Sequence, residues 1–138
     1  MSYFKRRLYM KTLVVDSSAF IRKSVVQVLS QIGYQDSVQV DTCNTALEEL
    51  NKGGFELVIA DWHMSDMSGL EFVKTIWAGP HNNVSFLMMT VIASRAEIGE
   101  ALRAGVNNYI VKPFTAGGLR EKIESVIVHK IPGNTFNS

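Results

Sequence analysis

Five short apolar runs, separated by stretches with helical spacing, restrict this chain's fold more than any other feature. The runs cover 12–16, 38–40, 57–61, 86–90 and 109–111. Two of them, 57–60 and 86–89, contain no polar residue, the mark of strands covered on both faces. Between the runs the apolar period changes. Ile21, Val25, Val28, Leu29 and Ile32 form one stripe of a helix, which Gly33 ends. Ala46, Leu47 and Leu50 form a second, closed by Gly53 and Gly54. A third stripe is Leu70, Val73, Ile76 and Trp77, stopped before Gly79-Pro80. Ile98, Ala101 and Leu102 make a fourth, stopped at Gly105. Leu119, Ile123, Val126 and Ile127 make a fifth, ended by Pro132-Gly133.

Strands alternating with helices predict a parallel sheet with helices on both faces, a three-layer α/β sandwich. Right-handed crossovers leave few arrangements, and the flavodoxin-like order 2-1-3-4-5 with five helices is the expected one. A chain of 138 residues suits one domain, expected over 10–130. A basic N-terminal extension over 1–9 and a short tail over 131–138 flank it.

Charge excludes more than it assigns. The net charge is +1, which gives no case for DNA binding. It is unevenly placed: Asp36, Asp41, Glu48, Glu49, Glu56, Asp61, Asp66 and Glu71 face only Lys52 in the same stretch. A cation for any acidic cluster there must come from elsewhere in the chain. The single cysteine, Cys43, excludes an internal disulfide and a cysteine-based zinc site. No apolar run approaches the roughly 18 residues of a membrane span, and the basic start lacks a signal peptide's apolar core. A reduced, soluble, cytoplasmic protein without membrane insertion is expected.

Open parallel sheets bind ligands at the carboxyl ends of their strands. There the runs end in Asp16-Ser17, Asp61 and Thr90, and the fifth is followed by Lys112-Pro113. In the order 2-1-3-4-5 the first and third strands are neighbours, so Asp16 and Asp61 should lie close together. A hard dication such as Mg²⁺ is the usual way to hold two such carboxylates ionised. Carboxylate, dication, hydroxyl and ammonium are the parts needed to place a phosphoryl group on an aspartate. The competing structural reading makes Asp16 and Asp61 helix caps and Lys112 a surface cation.

With these motifs the chain resembles the receiver domains of two-component response regulators, and within them the single-domain chemotaxis regulators. The resemblance spans about 10–130. It rests on Leu13-Val14-Val15-Asp16, on Asp61-Trp62 with Met64, Met67 and Gly69-Leu70, on Leu87-Met88-Met89-Thr90, and on Tyr109-Ile110-Val111-Lys112-Pro113-Phe114-Thr115. It implies that Asp61 is the phosphoacceptor, with Thr90 and Lys112 completing the reactive site. Thr90 and Tyr109 are then the switch pair, and the Lys112-Pro113 bond is cis. Asp16, Asp61 and the backbone carbonyl of His63 become the Mg²⁺ ligands. The resemblance further implies a histidine kinase as phosphodonor and a downstream protein partner such as the flagellar motor switch. Ile98, Tyr109 and Lys122 match the partner face, whereas Ser94 and Leu102 depart from the chemotaxis pattern.

Other departures lie at the site itself. Ser17 stands where the family has a second acid, so weaker Mg²⁺ binding is expected. Val91 adds bulk after Thr90, and Ser65 replaces a loop proline. Three functions follow from these residues. The first is a phosphorylation-dependent, non-enzymatic and monomeric switch. The second is an atypical receiver acting as a phosphate sink or as a phosphorylation-independent binding module. The third, a phosphoaspartate hydrolase, needs a second Asp where His63 stands.

Overall fold

The structure, a computed structural model, describes residues 10–81, 83–92 and 94–127. The expected extension over 1–9 and tail over 131–138, with the Pro132-Gly133 stop, lie outside them. Five strands, β1 (Lys11–Val15), β2 (Asp36–Val40), β3 (Phe55–Asp61), β4 (Ser85–Thr90) and β5 (Asn108–Val111), form one sheet. Its order is 2-1-3-4-5 and every pairing is parallel. Five helices, α1 (Ala19–Gln31), α2 (Cys43–Leu50), α3 (Gly69–Ala78), α4 (Arg95–Arg103) and α5 (Ala116–Ile127), alternate with them. This is the flavodoxin-like sandwich expected from the alternation of apolar periods.

The two core layers follow from the two-residue period of the strands. Leu13, Val15, Val58, Ala60, Phe86 and Met88 face one way, toward Cys43 and Ala46 of α2, Phe72, Val73 and Ile76 of α3, and Ala101 of α4. Val14, Leu57, Ile59, Leu87, Met89 and Ile110 face the other, toward Val25, Val28 and Leu29 of α1 and Leu119, Ile123 and Val126 of α5. Phe72 and Phe86 meet edge to face, with centroids 5.9 Å apart.

Ser and Thr side chains start the first four helices. Ser18, Thr42, Ser68 and Ser94 each accept a backbone N–H from the first turn. Gly69 opens α3 for a steric reason. A Cβ there would lie 2.3 Å from the Trp62 ring, so only glycine lets the helix start against that side chain. One residue of the expected core stripes is turned outward. Leu102 is 45% exposed, because α4 lays Ala101 on the sheet and the next residue points about 100° away.

Candidate functional site

The register decides which strand ends meet. Val15 of β1 pairs with Ala60 of β3, so Asp16 and Asp61 leave adjacent strands side by side. Thr90 pairs with Val111, which brings Lys112 across from the next strand. Lys112 Nζ lies 2.6 Å from Asp16 Oδ2 and 3.6 Å from Asp61 Oδ1. Two carboxylates thus converge on one cation drawn from 51 residues further along the chain than Asp61. Their side chains are largely removed from water, Asp16 almost wholly. At that depth the ion pair offsets a desolvation cost that neither carboxylate could meet alone.

Neither acid caps a helix, so the structural reading of these residues does not hold. Ser18 caps α1, while Asp16 Oδ1 accepts the Ser18 N–H at 2.9 Å. Ser68 caps α3, and Asp61 Oδ1 accepts the His63 N–H at 3.3 Å. Both of the contacts to Asp61, from the His63 N–H and from Lys112 Nζ, fall on the same oxygen, Oδ1. The Arg22 guanidinium donates to the Asp16 carbonyl at 2.7 Å, tying α1 to the same strand end.

Thr90 is buried, and its hydroxyl is folded back on its own loop. Oγ1 donates to the Ile92 carbonyl at 2.8 Å and accepts the Ile92 N–H at 3.0 Å. Its single proton must leave Ile92 before it can serve a group on Asp61. The following residues are open: Val91 is 62% exposed and Ile92 52%. Val91 therefore presents its added bulk at the surface. The Lys112-Pro113 bond is cis.

Ser17 is exposed beside Asp16 and brings no charge. Trp62 is buried, its backbone N–H donating to the Met89 carbonyl at 2.8 Å. Met88 and Met89 are wholly buried and Met64 and Met67 partly so, packing roles in each case. The His63 imidazole meets α4, with Nε2 3.3 Å from Glu97 Oε2. On the outer face Ile98 and Tyr109 are half-buried. Lys122 Nζ sits 4.9 Å from the Tyr109 ring centroid, a cation–π contact.

Two features had no sequence signal. One is the His63–Glu97 contact, which joins residues 34 apart. The other is Asp66, whose carboxylate accepts the Cys43 N–H at 3.2 Å and the Asn44 N–H at 2.9 Å. Cys43 itself is inert: burial pushes its thiol up to about 12, and the carboxylates of Asp66 and Asp61 add to the shift.

A parallel sheet of this order, with paired acids, a lysine and a buried threonine at its carboxyl edge, is the plan of a receiver. Residues 12–124 match the family model described as response regulator receiver domain, and the chain belongs to that family. It is 42% identical over 118 residues to the chemotaxis protein CheY-3 of Vibrio cholerae serotype O1, covering 85% of this chain and 91% of that one. It is 41% identical over 120 residues to the chemotaxis protein CheY1 of Helicobacter pylori, covering 86% and 97%. Among solved structures, the response regulator CheY4 of Vibrio cholerae superposes with a TM-score of 0.79 at 30% identity, covering 85% of this chain and 98% of that one. The chain is a CheY-like response regulator, a signalling domain whose class works with a histidine kinase, a downstream protein and Mg²⁺. Among the described residues no helix is long and apolar enough to cross a membrane.

Proposed function

We propose that this protein accepts a phosphoryl group on Asp61 from a histidine kinase and, once charged, changes its hold on a protein partner in chemotaxis. The observation that carries the reading is the convergence of Asp61 and Asp16 on Lys112 Nζ. In the transfer, an Asp61 oxygen attacks phosphorus and forms the new P–O bond. The P–N bond to the donor imidazole breaks, and its electron pair leaves with the ring nitrogen. Lys112 neutralises charge on the phosphoryl oxygens, and Asp16 holds the lysine in line.

The donor set fits a hard dication: two carboxylates already converge on a cation, and the His63 peptide adjoins Asp61. Asp16, Asp61 and the His63 carbonyl would hold Mg²⁺, which supplies charge neutralisation at the phosphoryl oxygens when bound. Ser17 makes that hold weaker than two adjacent acids would. Thr90 then trades its bond to the Ile92 carbonyl for one to the phosphoryl group, and Tyr109 responds on the outer face. That face, with Ile98, Tyr109 and Lys122, is the surface offered to the partner. The relatives' role in chemotaxis points to a flagellar motor switch in the cytoplasm. The protein works as a monomer, and at most self-phosphorylates from small donors and self-dephosphorylates.

The test is phosphoryl labelling by a histidine kinase and by acetyl phosphate. Wild type should label in a Mg²⁺-dependent way and Asp61→Asn should not. Undiminished labelling of the variant overturns the assignment.

A further inference from the structure

We infer that Asp66 is a positioning residue for the phosphorylation site, holding the tip of the loop that carries His63. This rests on Asp61 and the His63 carbonyl acting as proposed above. The loop 62–68 is closed at its base: the Gly69 N–H donates to the Trp62 carbonyl at 3.0 Å, and His63 bridges to Ser68. Among the described residues no backbone hydrogen bond closes its tip, 64–67. Ser65 stands there in place of proline, so the ring that would lock φ is missing.

Asp66 supplies the tie from outside the loop. Its two oxygens take the N–H groups of Cys43 and Asn44, the first two residues of α2. Thr42 Oγ1 takes the third, from Thr45 at 3.0 Å. The first turn of α2 is thus satisfied by two residues, of which one belongs to a loop 22 positions away. Bonds from backbone N–H to a carboxylate are charge-assisted, and a helix N-terminus favours the negative charge. The Cys43 thiol adds a weaker contact to the Met67 carbonyl at 3.9 Å. With base and tip both held, the His63 peptide keeps its N–H on Asp61 at 3.3 Å. Freed at the tip, that peptide can rotate.

Outer groups that orient metal ligands are worth about ten- to a hundredfold in affinity, and Asp66→Ala should weaken Mg²⁺ binding by roughly tenfold. Trp62 emission reads the titration in the full chain. Labelling by acetyl phosphate should then need proportionately more Mg²⁺ but reach the wild-type rate at saturation. Asp66→Asn keeps one acceptor oxygen and should lose less. Thr42→Ala removes the helix's own cap, lowering thermal stability while leaving Mg²⁺ affinity unchanged. An Asp66→Ala protein with wild-type affinity overturns the inference, as does Thr42→Ala matching its loss. If instead wild type and Asp61→Asn bind Mg²⁺ and label alike, the site reading itself has failed and the inference goes with it.

Discussion

Lys112 Nζ lies closer to Asp16 than to Asp61, at 2.6 Å against 3.6 Å. The lysine is thus anchored on Asp16 rather than on the proposed phosphoacceptor, and the longer distance leaves Asp61 the less engaged. Asp16 is 1% exposed, so this cation is what makes its ionised burial tolerable.

Removing the cation should therefore expose that cost. Lys112→Ala without Mg²⁺ should lose about 3 kcal/mol of stability, the usual result of leaving one partner of a buried pair. Added Mg²⁺ should restore part of it, since a dication takes over the missing charge. Urea denaturation with and without Mg²⁺ measures both, and a variant as stable as wild type would show that the pair does not hold the acid.

Ser17→Asp restores a carboxylate beside Asp16. It should tighten Mg²⁺ and speed labelling by a small phosphodonor. It should also lower metal-free stability slightly, because like charges are crowded together. Trp62 quenching and melts with and without Mg²⁺ report the two effects. Equal Mg²⁺ affinity in wild type and variant would mean that another group already compensates.

Thr90→Val removes the hydroxyl and keeps the shape. Asp61 should still accept phosphoryl, but beryllofluoride should no longer shift the NMR signals of Tyr109. The reason is that the buried proton now spent on the Ile92 carbonyl is the one that must move. Normal Tyr109 shifts in the variant would remove Thr90 from the switch.

The Asp66 tie should depend on pH in a defined direction. Desolvation pushes its carboxyl up, but backbone N–H bonds from Asn44, Cys43 and its own residue outweigh this and hold it below the usual 3.8. A folded value below the unfolded one means stability that is complete above 3.8 and lost as pH falls through the lower folded value. The stability gap between wild type and Asp66→Asn should narrow over that acid range. A gap constant down to the acid limit contradicts the bonds.

Gly69→Ala places a methyl 2.3 Å from the buried Trp62 ring. Overpacking of this kind costs about 1–3 kcal/mol, and here it should also shift Trp62 emission. An unperturbed emission spectrum with full stability would show that the ring yields freely.

Much of this protein was legible along the chain because the causes are local. The change of apolar period from two to three or four marks each strand and helix, and right-handed crossovers then leave the order 2-1-3-4-5. Asp16, Asp61, Thr90 and Lys112 could be picked out as a group because each ends or follows an apolar run, and parallel strands deliver all such ends to one edge. Tertiary structure decided what those groups do to one another. That the lysine favours Asp16 is a matter of register between strands, and that Thr90 spends its proton on Ile92 depends on a loop's path. Leu102 illustrates the same limit: its helical period fits a core stripe, yet only the docking of α4 through Ala101 leaves it 45% exposed. Asp66 meets α2 and His63 meets Glu97 across 22 and 34 positions, respectively. No spacing rule reaches that far, because such bonds form only once the sheet has brought distant loops to the same edge.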